Sequence, residues 1–350
     1  MAVTPRPVHV GLLGCGRIAR IFHLPILADL AGVELVAVAE PDPVGRARAV
    51  AAAPRATVVA DWRDVVADPR IDALVVCLPS GMHAEAAGAA FEAGRHVYLE
   101  KPIATSLDDG RCVLAAWRSS GKVGMAGFDQ RFEPAIDALR REVLAGRVGA
   151  PTGARLAMGS GRRDAPEWKR ARATGGGVLL DLGSHMADLT RFVLGEEVRE
   201  VCASLATTLA DEDTASFTMT LASGKLAQAW VTLAGITESR VEVVGERGLL
   251  TADRYAGTVR FFPLEPAWSR VDRAREGLAR LGRDSRALIE IAQPLAIGAT
   301  YRAALEAFAA AVAAGRQTSP DIGDGFRSLA VVLAAEASAR TGRAVAPAEP

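Results

Sequence analysis

An apolar run over Val8–Leu13 that delivers the chain straight into Gly14-Cys15-Gly16-Arg17-Ile18-Ala19 leaves few folds open. The segment fits G-x-G-x-x-A. The first glycine permits a tight turn, the second lets backbone amides approach a pyrophosphate, and the small third residue lets a helix pack closely on a strand. Amides at the helix start then face the anion, aided by the helix dipole. Glycine turns are common, and this one gains its weight from lying between a predicted strand and a predicted helix. A second predicted strand ends at Glu40, whose carboxylate can accept hydrogen bonds from an adenosine ribose and would repel a 2′-phosphate. That favours NAD, while Arg46 and Arg48 just behind leave NADP open.

Short apolar runs alternate with helical stretches through the first third. Strands are expected over 8–13, 33–39, 73–78, 96–99 and 122–127, and helices over 43–53, 83–93 and 107–119. Strand–helix repetition with strands apolar throughout argues a doubly wound parallel sheet covered on both faces. Pro25 lacks an amide proton, so a short helix near 17–22 should break at His23-Leu24 and restart with Pro25 in its first turn. Past Asp129 the pattern changes. A helix over 134–145 and a strand over 151–158 precede the run Gly175-Gly176-Gly177 and a segment over 178–194. Strands at 200–208, 214–222, 226–233, 240–244, 249–252 and 258–262 then follow closely, with glycine turns between several. This reads as an α+β unit with an open, largely antiparallel sheet. Residues 263–300 are polar and arginine-rich and resist assignment; helices over 301–314 and 325–340 close the chain, and the tail 344–350 reads as loose.

A length of 350 residues suggests about two domains, divided here into 1–128 and 129–350. Half the residues are hydrophobic, the formal net charge is zero, and no basic stripe offers itself to nucleic acid. Neither a signal peptide nor a membrane-length apolar window is visible, so the expectation is a cytoplasmic protein without membrane partners. Cys15, Cys77, Cys112 and Cys202 lack metal-ligand spacing and read as buried free thiols; no metal site is expected.

Two segments carry candidate chemistry. The strand over 96–99 ends in Glu100-Lys101-Pro102, and ligands of open parallel sheets bind beyond the carboxyl ends of the strands. A lysine there can donate to a substrate hydroxyl and stabilise alkoxide character. By itself, such a strand end is ordinarily a solvated lysine beside an ion pair. In Asp181-Leu182-Gly183-Ser184-His185, Ser184 suggests an N-cap, which puts His185 in the first helical turn with Asp181 on the same side. His185 is the best general base in the chain, with Asp181 orienting it. Arg131, Trp168 and Lys169 are candidates for a substrate pocket, with a solvated or packing role about as frequent for such residues.

Together, Gly11-Leu12-Leu13-Gly14-Cys15-Gly16-Arg17-Ile18-Ala19, Glu100-Lys101-Pro102, Arg131-Phe132-x-Pro134, and residues 175–185 (GGGVLLDLGSH) resemble the glucose–fructose oxidoreductase / inositol dehydrogenase / rhizopine catabolism (Gfo/Idh/MocA) family. The resemblance covers about 8–262 and resumes near 301–343. It implies a Rossmann domain followed by a substrate domain, NAD or NADP as cofactor, and oxidation or reduction of a sugar, inositol or related polyol. By position, Lys101, Asp181 and His185 match the family's catalytic residues. Cofactor contacts fall to Gly14, Gly16, Arg17, Ile18, Glu40, Leu78, Pro79, His83, Glu100 and Lys101. Ser80 stands where the family's Pro-Asn-x-x-His loop usually has Asn, and 263–300 is an atypical insertion. A dimer or tetramer through the C-terminal sheet is also implied. Two alternatives stay open: a redox-neutral, NAD-dependent glycosidase, and a non-catalytic dinucleotide sensor.

Overall fold

Six parallel strands form the first sheet in the order β3-β2-β1-β4-β5-β6, in a computed structural model that describes residues 6–160, 172, 176–264 and 298–350. They are β1 (Val8–Leu13), β2 (Val33–Ala39), β3 (Thr57–Val59), β4 (Ala73–Val76), β5 (His96–Leu99) and β6 (Gly124–Ala126). The strand order reverses between β1 and β4, which opens a crevice at their carboxyl ends. Helices α1 (Leu24–Asp29), α2 (Pro43–Ala52), α3 (Trp62–Ala67), α4 (His83–Glu92) and α5 (Leu107–Ser120) connect them. The central strand β4 is buried at every residue, as a strand covered on both faces must be. Sequence reading missed β3 and α3, because three strand residues and six helical ones are too short to show a period.

The second sheet has the order β13-β12-β11-β7-β10-β9-β8. Its strands are β7 (Pro151–Gly159), β8 (Val198–Ala206), β9 (Thr214–Leu221), β10 (Leu226–Thr232), β11 (Glu238–Gly245), β12 (Gly248–Asp253) and β13 (Thr258–Pro263). All neighbours pair antiparallel except β7 with β10. In β9 burial alternates residue by residue, the mark of a sheet with one face inward. Helices α6 (Pro134–Leu144), α7 (Ser184–Leu194) and α9 (Ile322–Thr341) share one apolar core with the inward face and with one side of the first sheet.

Helix α8 (Ala299–Ala314) belongs by sequence to the C-terminal part. Its Ala304, Leu305, Phe308 and Ala311 nevertheless complete the core on the other side of the first sheet, with Val10, Leu12 and Tyr98. The tail is held rather than loose: Val201 and Val345 exchange backbone hydrogen bonds of 2.9 Å. Cys112 and Cys202 are exposed, contrary to expectation. Cys112 lies on the polar side of α5, and in β8 the inward residues are Val198 and Val201, which leaves Cys202 outward.

At Pro25 the chain does not break. Residues Ala19–His23 form a π-turn that passes directly into α1, with Pro25 in its first turn. A widened turn removes the clash a proline ring would make with a regular helix. It also buries His23 completely. A second π-turn, Leu179–Gly183, leads into α7. Ser184 is therefore not an N-cap: its hydroxyl donates to the Leu180 carbonyl at 2.8 Å, inside a helical segment already under way. His185 consequently stands more than a turn from the start of that segment, not in its first turn.

Candidate active site

The glycine turn is closed on one side and open on the other. At Gly14, φ is +90° and a Cβ would sit 2.8 Å from the Cys77 carbonyl oxygen, so only glycine fits. At Gly16 nothing lies within 4 Å of where a Cβ would stand. Gly16 and Arg17 are exposed, Ile18 is half-buried, and Leu78 packs beside Gly14 with Pro79 exposed next to it. Glu40, at the end of β2, is buried and accepts from the Cys15 and Asp42 amides, each at 2.9 Å. Its carboxylate thus ties the glycine turn to the neighbouring strand end. Arg46 donates to the Glu40 and Pro41 carbonyls, which draws it to the same strand end. A Cβ-free opening, backbone amides and a buried carboxylate in one crevice suit a dinucleotide. Burial and then Glu40 push the Cys15 thiol up to about 12.

Lys101 follows β5 directly and reaches the second unit. Its Nζ donates to the Asp181 carbonyl at 2.6 Å and to Asp181 Oδ1 at 2.9 Å. Both side chains are only 14% exposed. Residues 80 positions apart, one just past a strand of the first sheet and the other in the π-turn Leu179–Gly183, meet here. The π-turn presents Asp181, and His185 follows four residues later, buried and edge-on to Phe128 at 6.0 Å.

Glu100 accepts from two sides. Its Oε1 is 2.8 Å from His23 Nε2, and its Oε2 takes the Lys101 amide at 3.2 Å. Cys77 completes a His–Cys–Glu group whose ligand atoms lie within 4.8 Å of one another. Sequence spacing gave no sign of it, because its members follow three different strands. Burial, then Glu100 and Cys15, push the Cys77 thiol well up. His83 is buried, with Nδ1 2.7 Å from the Pro102 carbonyl and Nε2 2.8 Å from the Leu78 carbonyl.

Arg131 has its guanidinium filled by protein carboxylates. It binds Asp188 through Nε and Nη2 at 2.8 and 2.6 Å, and Asp324 and Ser319 through Nη1. Burial works against its charge, but Asp188 and Asp324 more than offset that and raise its pKa. This arginine, expected from the sequence in a substrate pocket, joins α7 to the start of α9. Asp188, one turn beyond His185, is the residue sequence reading passed over; the signal was its i,i+3 spacing from His185 on one face. Trp168, Lys169 and Gly175 lie outside the described residues.

Residues 8–128 match the family described as "Oxidoreductase family, NAD-binding Rossmann fold", and residues 136–251 match the GFO/IDH/MocA C-terminal domain. The chain belongs to the GFO/IDH/MocA oxidoreductase family. It is 30% identical over 340 residues to the inositol 2-dehydrogenase of Rhizobium meliloti (strain 1021), covering 94% of this chain and 96% of that one. It is 32% identical over 301 residues to the 1,5-anhydro-D-fructose reductase of Ensifer adhaerens, covering 82% and 83%. Among solved structures, a putative myo-inositol dehydrogenase from Sinorhizobium meliloti 1021 superposes with a TM-score of 0.78 at 25% identity, covering 97% of this chain and 100% of that one. As a GFO/IDH/MocA protein the chain is an NAD-binding enzyme of the dehydrogenase and reductase type. Among the described residues no helix is long and apolar enough to cross a membrane.

Proposed function

We propose that this protein transfers hydride between NAD and a secondary hydroxyl or ketone of a sugar, inositol or related polyol, with Lys101, Asp181 and His185 as its catalytic residues. The meeting of Lys101 with Asp181 carries the reading. An ammonium has three N–H donors. Asp181 takes two of them, and one is left for a substrate oxygen. That donor lies in a half-buried setting, where a charge-assisted hydrogen bond to a forming alkoxide is stronger than in water. His185 is the group that accepts the hydroxyl proton, and Phe128 against its ring limits water on that side. The bound cofactor supplies the hydride acceptor. Glu40 and the glycine turn would hold its adenosine and pyrophosphate parts, and Glu100, bonded to His23, fixes the strand end that carries Lys101.

Relatives that act on inositol and 1,5-anhydro-D-fructose support a cyclic polyol or sugar as substrate. The test is a panel of inositols, sugars and their keto forms with NAD and NADP, run on wild type and Lys101→Met. The variant should lose about 10²–10³-fold in turnover while NADH titrates it as it does wild type. Equal turnover would remove Lys101 from the chemistry. Net accumulation of NADH separates this reading from a redox-neutral glycosidase.

The proposal extends to association of copies through the outward face of the second sheet. Leu226 and Val244 flank Gly153 across three neighbouring strands, leaving a hollow between two exposed apolar side chains, with exposed Trp230 further along β10. Such a face is a ready contact for an identical face.

A further inference from the structure

Both nitrogens of the buried His83 ring point at backbone carbonyls that leave adjacent strand ends: Pro102 after β5 and Leu78 after β4. A neutral imidazole carries one N–H, and a carbonyl oxygen can only accept. Burial is the largest influence on this ring and lowers its pKa, although the two carbonyls and Glu100 work in the other direction. Near neutral pH it therefore holds one proton for two acceptors. The Pro102 carbonyl has the greater need of that proton, because its contact with the ring is buried whereas the contact to Leu78 is only partly so. Among the described residues no backbone amide donates to either carbonyl, and the shorter ring contact, 2.7 against 2.8 Å, is the one to Pro102. On the other side of Lys101, Glu100 is fixed by His23. Lys101 thus stands between two anchored neighbours, one tied through a carboxylate and the other through a carbonyl.

We infer that His83 is a positioning residue: it carries its proton on Nδ1, donates to the Pro102 carbonyl, and so holds Lys101 against Asp181. The inference rests on the reading of Lys101 as the reactive ammonium, but its test does not. The carboxamide nitrogen of Asn can take the place of Nδ1, and that of Gln the place of Nε2. His83→Asn keeps a donor toward Pro102, whereas His83→Gln keeps one toward Leu78. The chain has four lysines. Trace acetylation of the purified full-length protein, followed by mass spectrometry, reads the exposure of Lys101 against Lys122 and Lys225 without any substrate.

In His83→Gln, Lys101 should label about tenfold faster, the factor expected when one hydrogen bond holding it is lost, with Lys122 and Lys225 unchanged. In His83→Asn it should label at the wild-type rate. A wild-type rate in both variants, or a raised rate in both, overturns the inference. A raised rate in His83→Asn alone places the proton on the Leu78 side and overturns it too. A parallel rise at all three lysines means general loosening and likewise counts against it. If no sugar or polyol is turned over, the proposed function fails while the labelling result still stands.

Discussion

Asp213 shows how much one side chain can organise. It is buried at the end of the loop between β8 and β9, and its carboxylate accepts from the Thr208, Leu209 and Ala210 amides and the Thr208 hydroxyl. The same loop gives the Glu212 carbonyl to the Val178 amide, just ahead of the π-turn that carries Asp181. Burial tends to raise the Asp213 pKa, but the Leu209 amide and the other donors outweigh it and bring it to about 2. A folded-state pKa below the ordinary 3.8 means stabilisation that is complete above that value and lost as pH falls through about 2. Asp213→Asn should therefore cost about 1–3 kcal/mol near neutral pH, with the gap to wild type closing toward pH 2. Thermal melts across that range test it, and a gap independent of pH would contradict the assignment. Sequence alone offered little here. Gly14, Lys101 and His185 stood out because they sit in motifs, whereas Asp213 sits in an acidic loop that looks like any solvated turn. His83 was legible as a motif residue, but its partners were not, since hydrogen bonds to carbonyls leave no compositional trace.

Two helical elements bring polar side chains to the strand ends through a π-turn, one with His23 and the other with Asp181. Single-turn π segments are frequent at functional sites because they shift the direction of one side chain without ending the helix. Pro25 announced the first to a reader of the sequence, although as a break. Nothing announced the second; Ser184 imitates a cap that the helix does not use. Downstream, α7 is fixed by a buried ion cluster of Arg131, Asp188, Asp324 and Arg191. Removing one partner strands the others away from water. Arg131→Ala should destabilise the protein by about 3–5 kcal/mol, read as a fall in the denaturant midpoint, and should lower turnover only as far as α7 shifts. A midpoint equal to wild type would show that water reaches the cluster.

At the scale of the molecule, strand and helix order was legible almost throughout, because buried parallel strands and half-buried antiparallel ones carry different periods. The packing of α8 on the first sheet was not. It depends on contacts between residues far apart, which no local pattern encodes. The outward face of the second sheet is the other large-scale feature. If copies associate there, Trp230→Asp should shift the sedimenting species to the mass of one chain. Wild type that already sediments as one chain would end that proposal.

The position of α8 also bears on how the protein is made. Synthesis runs from the amino terminus, so the nucleotide-binding sheet emerges first. One of its two faces must wait for Ala299–Ala314, a helix that follows every strand of the second sheet along the chain. Until then Leu12, Val10 and Tyr98 have no cover from it, and a ribosome stalled before residue 299 would hold a sheet in need of a chaperone.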